Sequence, residues 1–270
     1  MDARTGKRIR TGRLFDESSG KTIIVAYSHG LLLGPIDGLV GLDQMRQTVH
    51  ALAAANAIMV APGMVRWLED GFVGRHRPSL AVHLDWTNFS RPILPYEQGA
   101  QRSLATIEEV AAAGADMVMT YLLLGNDDPE REAEEIARNA AVARQCEQYG
   151  IVHMIEPRHS LERRAPETKQ DPEIMKLYCR ISAEIGADLV KCIWPGSVER
   201  MRAIVESCPV PVLVAGGARK ERPADATQLA AEAIAAGAGG LVFGRNIYQA
   251  ADPAAALDAL RAVVHGRAAE

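Results

Sequence analysis

The stretch GADLVKCIWPGS places one lysine, Lys191, inside an otherwise apolar run, Leu189-Val190-Lys191-Cys192-Ile193-Trp194. An amine stripped of water favours its neutral form, and a neutral amine is a nucleophile that can attack a ketone or aldehyde to give a Schiff base. The competing reading is a strand-end lysine whose ammonium reaches solvent or pairs with a carboxylate. Further along, AGGAR (215–219) and FGRN (243–246) set the backbone N–H groups of Gly216, Gly217 and Gly244 beside Arg245. Such a set can hold a phosphate. Read blandly, it is two tight turns that need glycine for their dihedrals.

The remaining candidates carry protons or contact a substrate. Glu156 closes VHMIEP and could shuttle a proton if burial raised its pKa. Its alternative is a salt bridge with Arg158 or with Lys191. Ser28 and His29 open the loop SHGLLLGPIDGL, where either could assist proton transfer, although a histidine there can equally fix the loop. Asp85 and Tyr121 follow apolar runs and could each meet a substrate hydroxyl, or simply pack and cap. His83 and His153 form no H-E-x-x-H or comparable spacing, so no metal is expected, and both read as satisfied polar residues.

These residues need elements to position them. Apolar strand-like runs fall at 22–27, 57–61, 80–84, 117–121, 152–155, 189–193, 210–215 and 240–243. Most are apolar on both faces, as strands of a covered parallel sheet are. Helical patterns occupy 43–55, 103–113, 128–149, 171–185, 198–206, 227–236 and 253–264. AGAD, IGAD and AGAG each end a helix and lead straight into a strand, one turn used three times. This alternation predicts an α/β fold of the (β/α)8 TIM-barrel kind, a single domain over 21–270 after an N-terminal extension over 1–20. A doubly wound sheet is the alternative, weakened because no G-x-G-x-x-G follows the first strand. Every candidate lies at or just past a strand's C-terminal end, where a barrel carries its active site, and the long irregular stretches 87–102 and 158–170 fall on the same face.

Composition excludes several classes. The chain has 270 residues and a formal net charge of -4, with no basic run, so no nucleic-acid partner is expected. The four cysteines are widely spaced and read as free thiols of a reducing compartment. No signal-like h-region or membrane-length apolar run occurs, so a cytoplasmic location is expected.

With SHGLLLGPIDGL, GADLVKCIWPGS, CPVPVLVAGGAR and GAGGLVFGRNIYQAADP in one order, the chain resembles the class I, Schiff-base aldolases of the DeoC/FbaB/LacD group. That family includes archaeal-type fructose-1,6-bisphosphate aldolases, 2-amino-3,7-dideoxy-D-threo-hept-6-ulosonate synthases and, more distantly, a thiolase. The resemblance implies a TIM barrel, no cofactor, Lys191 as the Schiff-base lysine, and Gly216, Gly217, Gly244 and Arg245 as the phosphate loops. It also implies a homo-oligomer, possibly a decamer. Two departures stand out. Ser28-His29-Gly30 replaces the family's DHG, and EPRH replaces its YPRG, which puts Glu156 where a proton-transferring tyrosine usually sits.

The expected activity is C–C bond formation or cleavage between a phosphorylated ketone, such as dihydroxyacetone phosphate, and an aldehyde. The alternative is a transferase or aminohydroxybenzoate-pathway enzyme using aspartate semialdehyde, or a thiolase-like acyl transferase. An amino-acid acceptor would want a carboxylate clamp, for which Arg91, Arg158 and Arg163 are candidates. A sugar-phosphate sensor on the same scaffold is a third reading, disfavoured by the retained lysine.

Overall fold

Among the described residues, ten strands and eleven α-helices follow one another along the chain. The structure is a computed structural model and describes residues 2–88, 93 and 99–266. The strands are β1 Thr22–Ala26, β2 Ala57–Val60, β3 Ser79–His83, β4 Asp85–Thr87, β5 Gln101–Ser103, β6 Met117–Leu124, β7 Val152–His159, β8 Leu189–Ile193, β9 Val212–Ala215 and β10 Gly240–Phe243. The helices are α1 Ala3–Leu14, α2 Gly30–Leu33, α3 Leu42–Ala51, α4 Val65–Leu68, α5 Ile107–Ala112, α6 Pro129–Tyr149, α7 Pro172–Glu184, α8 Val198–Ser207, α9 Pro223–Ala235, α10 Arg245–Tyr248 and α11 Pro253–His265.

Eight parallel strands close as β1-β10-β9-β8-β7-β6-β3-β2, the TIM barrel expected from the sequence. Local signals explain the boundaries. Asp128, Asp171 and Asp252 each precede a proline at the first helical position and accept a backbone N–H of the first turn, starting α6, α7 and α11. The repeated αβ turn is real: Gly114, Gly186 and Gly237 all adopt positive φ, at 82°, 107° and 90°.

Two expectations shift. The helix read over 103–113 starts only at Ile107. There Thr106 accepts from the Glu109 N–H at 3.1 Å, and the Glu109 carboxylate accepts from the Thr106 N–H at 2.7 Å, a reciprocal capping box. The residues before it form β5, which pairs antiparallel with β4 in a ribbon that brackets the stretch 87–102 read as irregular. In addition, β6 and β7 run on to Leu124 and His159, with Tyr121 opposite Glu156 and Leu123 opposite Arg158, so Arg158 is a strand residue.

Side-chain alternation divides the core in two. Outward residues such as Val190, Cys192, Val212 and Val214 pack under the helices. Inward residues Ile24, Ala57, Met59, Ala81, Met117, Met119, Val152, Met154, Leu189, Leu213 and Val242 fill the barrel. Burial at about 25 cal/mol per Å² makes these two layers the main source of stability. Within residues 1–20, α1 lies across the bottom. Leu14 is fully buried among the interior residues, and Arg10 donates to the Gly150 and Ala115 carbonyls at 3.1 and 3.3 Å. Lys7 pairs with Asp188 at 2.8 Å and with Glu147, and Arg13 with Asp116 at 3.1 Å. Basic residues of one polar helix thus meet groups at the N-terminal ends of β6, β7 and β8. Among the described residues no helix is long and apolar enough to cross a membrane.

Candidate active site

The alternation that fills the barrel with Leu, Met and Val turns polar at the top. One step beyond Leu189 the inward residue of β8 is Lys191. One step beyond Met154 on β7 it is Glu156, then Arg158. One step beyond Met119 on β6 it is Tyr121, and beyond Ala81 on β3 it is His83. A cavity of about 320 Å³ opens over this layer, with Lys191, Glu156, Arg158 and Tyr121 on one side and Gly216, Gly217, Gly244 and Arg245 on the other.

Lys191 is 8% exposed and its Nζ lies 2.6 Å from Glu156 Oε2. Arg158 donates to Glu156 Oε1 at 3.1 Å through one terminal nitrogen. Its Nε and other terminal nitrogen grip Glu162 at 2.9 and 2.5 Å. Lys169 stands 3.6 Å from Glu162 and reaches the cavity rim. Burial alone would push the Glu156 carboxyl up, but the Lys191 and Arg158 charges outweigh it and hold the group below its ordinary value. The raised pKa entertained from sequence is therefore not what the surroundings produce. Both salt bridges considered for Glu156 form at once.

Tyr121 is buried at the cavity wall. Burial, reinforced by the Glu156 charge, raises its phenol well above its ordinary value, so it stays protonated and can donate. His29 lines the same cavity and donates from Nδ1 to the Ala26 carbonyl at 3.0 Å. Burial, with the Lys191 and Arg245 charges, lowers it to about 4, so its ring is neutral near pH 7. Ser28 does not line this cavity: its hydroxyl shares a 2.9 Å hydrogen bond with Nδ1 of His83, whose ring meets Tyr121 edge-on at 5.3 Å. His83 is pushed down to about 3 by burial, and its Nε2 is buried without a partner.

The opposite wall is built for close approach. A Cβ on Gly244 would fall 2.4 Å from the Ala26 carbonyl oxygen and 2.6 Å from the His29 ring, so only glycine lets this backbone border the cavity. Asn246 ties the two loops together, donating to the Gly216 carbonyl at 2.9 Å and accepting from the Lys220 N–H at 2.8 Å. Arg245 makes no salt bridge among the described residues, and its Nε is buried without a partner.

Asp85 does not join the site. Its carboxylate is fully buried and faces α6, taking Arg138 at 3.1 and 3.4 Å and the Tyr121 N–H at 2.8 Å. The reason is the break after β3: Asp85 opens the antiparallel ribbon and does not continue the inward alternation. Arg163 does not border the cavity, and Arg91 lies outside the described residues. Sequence reasoning missed Glu162, Lys169 and the Ser28–His83 pair. Glu162 sits in a turn after β7 and Lys169 in the short 3-10 helix Pro166–Gln170, where no periodicity marks a direction. His83, read as a satisfied polar residue, satisfies only one of its two ring nitrogens.

The family model described as DeoC/LacD family aldolase matches residues 22–250, and the chain belongs to that family. An uncharacterized aldolase of Saccharolobus solfataricus is 30% identical over 266 residues, 97% of this chain and 96% of that one. The 2-amino-4,5-dihydroxy-6-oxo-7-(phosphonooxy)heptanoate synthase of Streptomyces griseus is 30% identical over 263 residues, 96% of this chain and 90% of that protein. Among solved structures, an archaeal fructose-1,6-bisphosphate aldolase with its catalytic lysine bound to the carbinolamine intermediate superposes with a TM-score of 0.81 at 23% identity, covering 96% of this chain and all of that one.

Proposed function

We propose that this member of the DeoC/LacD aldolase family is a class I aldolase that joins or splits a phosphorylated ketone and an aldehyde through a Schiff base on Lys191. The observation that carries the reading is the placement of Lys191: a buried amine at the cavity floor, 2.6 Å from the Glu156 carboxylate, facing glycine backbone and an arginine that makes no salt bridge among the described residues. The donor's phosphate rests on Gly216, Gly217, Gly244 and Arg245, which sets its carbonyl over Nζ. Attack by the neutral amine gives a carbinolamine. Loss of its hydroxyl as water, with a proton supplied by the Tyr121 phenol, gives the iminium while Glu156 stays ionised. The iminium draws electrons from the adjacent carbon, Glu156 accepts that carbon's proton, and the enamine adds to the aldehyde. Hydrolysis then frees the product and the lysine.

Dihydroxyacetone phosphate fits as donor on chemical grounds. The Streptomyces griseus relative is named for a seven-carbon product whose carbons 5, 6 and 7, bearing hydroxyl, oxo and phosphonooxy groups, have the form of that ketone. Its other four carbons have the form of a 2-amino acid aldehyde, which makes aspartate semialdehyde the acceptor to test second, after glyceraldehyde 3-phosphate. The four cysteines are all unpaired and buried, which suits the reducing cytoplasm.

The test is borohydride reduction in the presence of dihydroxyacetone phosphate, followed by peptide mass analysis. A stable adduct on Lys191, lost in Lys191→Ala, is the expected result. An adduct that persists in Lys191→Ala, or no adduct in the wild type with any phosphorylated ketone, overturns the assignment.

A further inference from the structure

Glu162 belongs to no recognised motif of the chain, yet it is only 9% exposed and sits one residue-contact away from the reacting pair. Five charges alternate in a line from the floor of the cavity to its rim: Lys191, Glu156, Arg158, Glu162 and Lys169. The geometry within that line is unequal. A guanidinium prefers to meet a carboxylate with two parallel N–H donors. Arg158 gives that fork to Glu162 and leaves Glu156 a single N–H at 3.1 Å. Glu156 Oε2 is thereby left to Lys191 and to whatever enters the cavity.

The turn that carries Glu162 is itself pinned. The Glu162 N–H donates to the His159 carbonyl at 3.1 Å, and Ser160 donates to the Leu124 carbonyl at 2.6 Å and to Asn126 at 2.8 Å. The other ionisable groups that act on Glu156 or feel its charge are Lys191 from β8, Tyr121 from β6, His83 from β3 and His29 from the loop after β1. None of these competes for the Nε side of Arg158 among the described residues. Without Glu162 that side would lose its carboxylate, and among the described residues Glu156 is the other carboxylate that Arg158 meets.

We propose that Glu162 is a positioning residue: by occupying the forked edge of Arg158, it keeps Arg158 from closing on both oxygens of Glu156 and so preserves a free oxygen to receive the donor's proton. The inference rests on the Schiff-base reading above, in which Glu156 moves that proton. It predicts a split between two steps. Formation of the lysine adduct does not need the free oxygen once the amine has lost its proton, whereas abstraction of the C–H proton does.

The experiment compares wild type, Glu162→Gln and Glu162→Asp with dihydroxyacetone phosphate. Adduct is quantified after borohydride reduction, and exchange of the donor's C–H hydrogen into D2O is followed by NMR. We expect Glu162→Gln to trap the adduct to within about twofold of wild type while exchange falls by roughly tenfold or more, the lower range of what a misplaced general base costs. The shorter Glu162→Asp should lie between the two. Exchange at the wild-type rate in Glu162→Gln overturns the inference, as does a fall of trapping and exchange by the same factor. If Glu162→Gln does not fold, Glu162→Asp decides alone: exchange reduced with trapping kept supports the role, and equal changes in both overturn it. A wild type that traps nothing overturns the Schiff-base reading instead, so the two failures are distinct.

Discussion

Glu156 Oε2 stands 2.6 Å from Nζ of Lys191, one residue beyond the paired rung of Ile155 with Val190, so the carboxylate and the amine share one level of the barrel on adjacent strands. Two buried cations held against two buried carboxylates, Lys191 and Arg158 with Glu156 and Glu162, are an expensive arrangement, since hydrophobic residues of similar size are often at least as stabilising. Its presence at the cavity floor fits chemistry better than structure.

Replacing Glu156 by Gln keeps the shape but removes the charge between Lys191 and Arg158. Breaking a buried ion pair costs about 3 kcal/mol or more. A thermal or urea melt at pH 7 should register that loss, and aldol turnover should fall by at least roughly 100-fold. Because the folded carboxyl is held below its unfolded value of 4.5, the stability it contributes is present above that value. It is lost as pH falls through the lower folded value. A Glu156→Gln protein with wild-type turnover would remove Glu156 from the chemistry.

Stability should decline on mild acidification. His29, His83 and His153 are held near 4, 3 and 3, all by burial first, so the unfolded chain binds protons at 6.5 that the folded chain refuses. Asp85 acts the other way: burial lifts it to about 6, which adds stability as pH falls from 6 towards its unfolded 3.8. Three histidines outweigh one aspartate. The melting temperature should therefore fall steadily from pH 7 to pH 4.5, and less steeply in His153→Gln, whose site lies away from the cavity beside Thr120. A flat or rising profile would contradict this.

Arg245→Met should separate binding from folding. The arginine gives up no salt bridge among the described residues and carries a buried Nε without a partner there, so the variant should melt no lower than wild type. A charged hydrogen bond to phosphate is worth about 1.5–3 kcal/mol, so KM for a phosphorylated donor should rise about 10-fold to 150-fold. Trapping with unphosphorylated dihydroxyacetone should be unchanged. Equal losses with both donors would place the phosphate elsewhere.

Asp85→Asn should do the reverse. The change leaves Arg138 without its buried partner while Glu135 at 3.4 Å remains, at a cost of about 3 kcal/mol. Melts should show it, and KM for donor and acceptor should not move. A changed KM with an unchanged melt would restore Asp85 to the substrate pocket.

Much of this protein was legible in its residues. The eight barrel strands, helix starts at Asp-Pro, the repeated αβ glycine turn and the barrel class follow from local chemistry and from the two periodicities, which need no long-range information, whereas the β4–β5 ribbon does not. Lys191, Glu156 and the paired glycine loops were recognisable because each breaks its local pattern: a charge in an apolar strand, glycines past a strand end. The side of the chain that such residues face was not always legible. Asp85 would have pointed inward had β3 continued, and a ribbon formed with Gln101–Ser103 turned it toward α6 instead. The partners of the site were legible only in part: Glu156 pairs with Lys191 and with Arg158 as considered, whereas the Ser28–His83 and Arg158–Glu162 contacts carried no signal in the sequence. Lys191 meets Glu156, Ser28 meets His83, and Arg158 divides itself between Glu156 and Glu162 only because closure of the barrel and the register of β6, β7 and β8 bring those atoms within reach. Residue type and period decide what each side chain can do and which face it takes. Distances between charges, and therefore which proton each can move, exist only once the sheet has closed.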